Sequence, residues 1–311
     1  MIKLLRAGFR RYIKSNILVL AVTATLAIAI YDGLMARRFY FEDFYVIVFL
    51  IIDAVMVSLL VGREHDEGIF RNKVVSGHTK GNIYFAELIL GIVIAAFLYL
   101  VFSVVFLCVN FYIVGYAPID ISVKIFLNGL LASAYTTVIF VTVGCLISHK
   151  AITAIVNILL ILSLTVSAEA VNSALKRPEY LEKYDYEYTE IIDDEGKVFW
   201  QATPIEDSKH LVENPNYIKS PAREILCVFS RISPFTPIRE SSNITQGWFG
   251  YDMQVSADSS NTFHSIWENN ADFSVTKNEN TALNISMVCM LAEVIAVSCV
   301  GYFCFRKKEL K

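Results

Sequence analysis

Whatever chemistry this chain can hold lies in one polar stretch and in a few acids set within apolar runs. His65, Asp66 and Glu67 come nearest to a metal-ligating cluster, but adjacent residues on a helix project in different directions and do not converge on one ion. No G-x-x-x-x-G-K-[ST] phosphate loop, H-E-x-x-H or G-x-S-x-G occurs, so the expectation is a chain with no catalytic residues, no metal and no cofactor bound by itself. Asp53 and Glu293 lie well inside apolar runs, whereas Glu87 and Glu169 lie near run ends that water can reach. A carboxyl at mid-membrane costs roughly 3 kcal/mol or more. Asp53 and Glu293 are therefore either protonated and hydrogen-bonded to hydroxyls such as Thr136, Thr137 or Ser298, or they line a polar route. The polar stretch, Arg63 to Tyr84, offers recognition rather than reaction: Phe70 and Val74 stand one helical turn apart as an apolar ridge, with Ile69 and Val75 beside it and Arg71 and Lys73 to supply charged hydrogen bonds. Such a helix fits a protein groove or lies on anionic lipid, and Gly77 and Gly81 let the chain turn after it.

The elements that must position these residues follow from composition. Of 311 residues 55% are hydrophobic and 18% charged, with a mean hydropathy of +0.50. Soluble chains run nearer 45–50% apolar and about 25% charged, so this excess marks an integral membrane protein. Six runs reach the roughly 20 apolar residues that cross a bilayer as helix: Asn16–Met35, Phe44–Gly62, Ile83–Tyr112, Ile121–Ser148, Ala151–Ala170 and Leu283–Phe305. None contains a proline.

Lysine and arginine orient them. Lys3, Arg6, Arg10, Arg11 and Lys14 precede the first run, Arg63, Arg71, Lys73 and Lys80 follow the second, and Arg306, Lys307, Lys308 and Lys311 close the chain. The positive-inside rule puts these segments, and both termini, in the cytoplasm, with Arg37 and Arg38 a mild exception outside. The N-terminal run has no clear small-residue cleavage site and is expected to stay as an uncleaved first helix. Residues Val171 to Ala282 then lie outside and carry eighteen acidic against ten basic residues, a net of −8 where the whole chain has −3. Tyr184, Trp200, Trp248, Phe249, Tyr251, Trp267, Phe273 and other rings give this stretch enough apolar area for a small folded core. Tyr184–Ile192 and Val198–Trp200 around Asp194-Glu195-Gly196 predict a hairpin, and Ser220–Ser230 has helical spacing after a Ser-Pro start. Cys227 is the only cysteine of the external stretch, which leaves no disulfide framework within it.

Taken as Asp66-x-Gly68-x-x-Arg71-Asn72-Lys73, then Gly77-His78-x-Lys80, then Ile83-Tyr84 entering the third span, the polar stretch resembles the cytoplasmic loop of ABC-2 type transporter permeases. Gly68, Arg71, Asn72, Lys73, Gly77 and Tyr84 match that family's pattern, while Lys80 stands where arginine is frequent and keeps charge without bidentate geometry. Asn214-Pro215-Asn216-Tyr217 with Arg223 also looks like a segment of a bacterial branch of these permeases. The resemblance implies a coupling helix within residues 63–82, with Gly68, Phe70, Arg71, Asn72, Lys73, Val74, Gly77 and Lys80 docking on a separate cytoplasmic ATPase that carries the ATP and magnesium.

The expectation is thus an all-α polytopic protein of the plasma membrane. It has six spans, a cytoplasmic coupling helix and a mixed α/β external insert between the fifth and sixth: residues 1–170, then 171–282, then 283–311. Its expected role is that of a permease subunit pairing with a second permease, identical or different, and with an ABC ATPase, exporting a peptide, drug or lipid-like substrate without contact to nucleic acid. Asp53 and Glu293 are the candidate pathway residues. Two other readings remain: an ion-coupled secondary carrier using those acids, which the proline-free spans oppose, and a membrane sensor or assembly protein without transport.

Overall fold

A computed structural model describes residues 1–35, 43–114, 119–183, 185–192, 198–205, 208, 210–233, 235, 238, 255–257, 263–265 and 277–308. Helices α1 (Ile2–Ile13), α2 (Asn16–Met35), α3 (Asp43–Asp66), α4 (Ile69–Val75), α5 (Lys80–Val114), α6 (Ile119–Leu146) and α7 (Lys150–Leu175) come first. Strands β1 (Tyr180–Lys183), β2 (Tyr186–Ile192), β3 (Val198–Pro204) and β4 (His210–Glu213) follow, then α8 (Ala222–Ile232), β5 (Val255–Ala257), β6 (Phe263–Ser265) and the last helix, α9 (Lys277–Lys307). Among the described residues five helical stretches, Asn16–Leu34, Lys80–Val109, Ser122–Leu146, Lys150–Leu175 and Leu283–Lys307, are long and apolar enough to cross a bilayer, and they fit a multi-pass membrane protein. Hydrocarbon offers no partner to a backbone amide, so apolar runs of this length satisfy their own hydrogen bonds as helix. Helix α3 occupies the position of the remaining expected span.

The chain divides into two compact units. The first comprises Met1–Ala168 and Arg231–Lys311. At its centre α5 packs against α1, α2, α6 and α9, while α6 also packs against α3 and α9. Aromatic rings fill the α3–α5–α6 contact, with Phe49 edge-on to Tyr99 at 5.7 Å and Tyr99 5.5 Å from Phe126. Helix α9 approaches closely at Gly301, where a Cβ would collide with the Tyr84 hydroxyl and lie 2.7 Å from Thr142 Oγ1. Small residues at such crossings let helices gain dispersion contact that lipid could not supply. Asn157 of α7 donates to the Ser58 hydroxyl of α3 at 2.8 Å, a polar tie that apolar patterning does not reveal.

Helix α1 is a separate element rather than the start of the first span. Ser15 ends it and opens α2: its amide bonds to the Tyr12 carbonyl at 3.0 Å and its hydroxyl accepts from the Ile17 amide at 3.2 Å, as an N-cap does.

The second unit is Glu169–Ser230. Here β2 and β3 pair antiparallel from Tyr186 opposite Pro204 to Ile192 opposite Val198, the hairpin expected from sequence. The sequence did not suggest the enclosing pair, β1 with β4, from Tyr180 opposite Glu213 to Lys183 opposite His210. The Asn214–Tyr217 loop is built around the end of α7. Arg223 donates to the Leu175 carbonyl at 2.8 Å and lies 4.8 Å from the Tyr217 ring centre, and Asn214 donates to the Pro178 carbonyl at 2.9 Å. Arg37, Arg38, Pro118, Tyr184, the Asp194-Glu195-Gly196 turn, Trp248, Phe249, Tyr251, Trp267, Phe273, Lys311 and most of the stretch before α9 lie outside the described residues.

Candidate functional site

The polar stretch folds as a short helix slung between two long ones. Gly68 (φ 64°) and Gly77 (φ 87°) bracket α4 in the left-handed region, where a side chain would strain the backbone. Gly81 plays another part than the turn expected of it: it lies inside the first turn of α5, where a Cβ would meet the Tyr302 ring at 2.8 Å.

Helix α4 is held by its inner face. Phe70 is only 1% exposed, its ring edge-on to His65 at 4.7 Å and to Phe305 of α9 at 5.8 Å. Lys73, three residues on and so on the same face, carries a side chain 10% exposed. Its Nζ donates to Glu64 of α3 and, at 2.6 Å, to Glu87 of α5. Tyr12 of α1 donates to the other Glu87 oxygen at 2.5 Å, and Arg11 donates to the other Glu64 oxygen at 2.5 Å. Four helices therefore meet in one network of two acids, two bases and a phenol. Glu87, expected within reach of water, is instead 1% exposed, because α1 folds over it.

Burial first, and then the Glu87 carboxylate, pushes Glu64 up to about 8, with Lys73 opposing. Burial alone would lower Lys73; the two carboxylates outweigh it and hold the ammonium above its usual value. Tyr12 is driven well up by burial and by Glu87, so it stays a donor.

The outer face of α4 is what remains for another molecule. Arg71, Asn72, Val74 and Val75 are exposed, with Val75 80% accessible. Arg71, Val74 and Val75 share a face at spacings of three and four, so the apolar contact offered outward is Val74 with Val75 beside Arg71. The Phe70–Val74 ridge drawn from sequence does not form, because Phe70 turns inward under α9 while Val74 points out. Lys80 faces the end of α9, its ammonium donating to the Arg306 carbonyl at 3.3 Å and the Lys308 carbonyl at 2.5 Å, the last carbonyls a helix leaves unpaired. His65, Asp66 and Glu67 diverge, toward the Cys145 carbonyl at 3.1 Å, Lys150 at 3.4 Å and Arg63 at 2.5 Å respectively. Lys308 reaches the Cys145 carbonyl at 3.1 Å and His65 Nε2 at 2.9 Å; burial lowers the His65 pKa, which favours a neutral ring whose Nε2 accepts from Lys308, and in that tautomer the Cys145 carbonyl takes its hydrogen bond from Lys308 rather than from His65.

The two acids of the apolar runs, Asp53 and Glu293, sit apart from this network. Asp53 is fully buried in α3 and accepts from the Thr137 hydroxyl of α6 at 2.7 Å, one of the partners expected for it. Glu293 lies part-buried on α9, one carboxylate oxygen enclosed without a hydrogen-bond partner among the described residues. The Glu64–Lys73–Glu87 network was not foreseen, although a signal existed: two acids at the ends of apolar runs need a cation, and Lys73 is the base that shares a helix face with the apolar Phe70. No family model matches this chain, and no curated protein matches it.

Proposed function

We propose that this chain is the permease subunit of an ATP-driven exporter of the ABC-2 kind, and that α4 is the element through which a separate ATPase moves it. The reading takes α3 as a span, which makes six, and takes the α4 side as cytoplasmic from its lysines and arginines. The stretch between α7 and α9 is then external.

The observation that carries the proposal is the two-faced anchoring of α4. A helix that only rested on lipid would have no need of Phe70 inserted beneath α9 and of Lys73 bonded to both flanking helices. Fixed in this way, α4 cannot shift without drawing on α3, α5 and, through Tyr12 and Arg11, α1. A partner gripping Arg71, Val74 and Val75 could therefore transmit its closure to the membrane helices. It would shift the access equilibrium only as far as nucleotide favours one state of the assembly. Peptides, amphipathic drugs and lipid-linked molecules are the substrates suited to a lipid-embedded route with an acidic external segment.

The test is purification of the tagged, full-length chain from its native membranes, with the associated ATPase assayed. An ATP-binding-cassette subunit should copurify with wild type and be lost with Val75→Asp or Arg71→Glu, changes on the exposed face that leave insertion and thermal stability within about 0.5 kcal/mol. Undiminished copurification of both variants, or substrate flux driven by protons with no ATPase present, would reject the proposal.

A further inference from the structure

Helix α1 has three faces. Leu4, Gly8 and Tyr12 are buried against the bundle; Phe9 and Ile13 are about half exposed; Arg6, Arg10 and Lys14, one turn apart in a row, lie beside that apolar edge. None of these three cations, nor Lys3, makes an ion pair among the described residues, whereas Arg11 is engaged by Glu64. Helix α1 contains no acid at all.

Beside the apolar edge runs a groove of about 500 Å³ between α1, the first turns of α2 and the middle of α5, lined by residues that include Phe9, Ile13, Val22, Thr23, Val93 and Phe97. Its volume falls within the roughly 300–1,000 Å³ of sites that enclose small molecules. Thr23 is its one side chain with a hydroxyl, and that hydroxyl donates to the Leu20 carbonyl at 2.9 Å, so nothing in the groove seeks a polar partner. The part of a ligand held there is hydrocarbon. The groove begins two residues into α2 and runs along it from Leu18 to Thr23, about 7.5 Å of helix rise, so it descends from the level of Lys14 into the apolar layer.

We propose that this groove is a binding site for one anionic phospholipid, its acyl chain lying against Phe9, Val22, Val93 and Phe97 and its phosphate held by Arg6, Arg10 and Lys14. Charge and shape together select this occupant. An apolar slot with an unpaired row of cations at its mouth matches a molecule that carries a phosphate at the head of a hydrocarbon chain, and guanidinium groups hold phosphate by paired, charge-assisted hydrogen bonds. A free phosphate would leave the slot empty, and a neutral lipid would leave the cations without a net counter-charge. The proposal does not rest on the exporter reading.

The test uses the purified full-length chain in detergent, with phosphatidylglycerol and phosphatidylcholine of identical chains titrated in native mass spectrometry. Wild type should retain phosphatidylglycerol in preference, with excess inorganic phosphate failing to displace it. Each cation near an anionic lipid is worth about fivefold in affinity, so Arg6→Gln/Arg10→Gln/Lys14→Gln should weaken retention on the order of a hundredfold, while Arg6→Lys/Arg10→Lys keeps most of it. Val93→Trp, which fills the slot, should reduce binding of both lipids; Thr23→Phe fills it from α2 should the first variant fail to fold. Equal retention of the two lipids by wild type, displacement by inorganic phosphate, or full phosphatidylglycerol affinity in a folded slot-filled variant would each overturn the proposal.

Discussion

Replacing Lys73 with methionine should separate an anchoring lysine from a docking one. The substitution keeps length and apolar contact while leaving Glu64 and Glu87, with side chains 2% and 1% exposed, side by side without the ammonium that joins them. Removing one partner from a buried ion pair typically costs about 3–5 kcal/mol, because the remaining charge stays desolvated. The pH dependence makes the prediction sharper. Glu64 has a native value of about 8 against an ordinary 4.5, so between these the native state binds more protons than the unfolded one and stability falls as pH rises. Lys73 opposes that upward shift, and without it Glu64 rises further. Lys73→Met should therefore be markedly less stable than wild type at about pH 9 and closer to it at about pH 6, where the carboxyl takes up its proton. Adding Glu64→Gln to the methionine variant should recover stability, with a coupling of about 1–3 kcal/mol in the double-mutant cycle. Thermal unfolding in detergent followed by tryptophan fluorescence or circular dichroism across that pH range supplies the data. Wild-type stability in Lys73→Met at both pH values would show that the network does not hold α4.

Two further substitutions probe the frame around the network. Phe70→Ala should cost about 3–5 kcal/mol in the same unfolding assay, since the ring is almost fully buried between His65 and Phe305. Gly301→Ala, which sets a methyl against the Tyr84 hydroxyl and Thr142, should cost about 1–3 kcal/mol, and Tyr84→Phe in that background should relieve part of it.

Hydropathy is a local property, and it is what the sequence determined. The apolar runs, the polar break between the second and third, and the β2–β3 pairing around a turn signal all depend on residues near one another in the chain, and the helices and strands lie where those residues put them. Gly68 takes the left-handed conformation at the start of α4, a backbone reason for a glycine at that position of the polar stretch. Direction was the part that only tertiary structure decided. A seven-residue helix with apolar and basic residues all round has no single face of its own: Phe70 and Val74 are equally apolar in sequence, yet α9 covers one and leaves the other exposed. Glu87 stands at the end of an apolar run, where local sequence leaves it open to water, and α1, which hydropathy does not separate from the N-terminal tail, lays Tyr12 across it. Glu64, Lys73 and Glu87 are separated by nine and fourteen residues and lie on three different helices broken at Gly68 and Gly77, so no single helical period relates them, and they meet only because α3 and α5 stand side by side at the height of α4. Burial then couples their charges, since a carboxyl removed from water keeps its charge only beside a cation and otherwise takes up a proton.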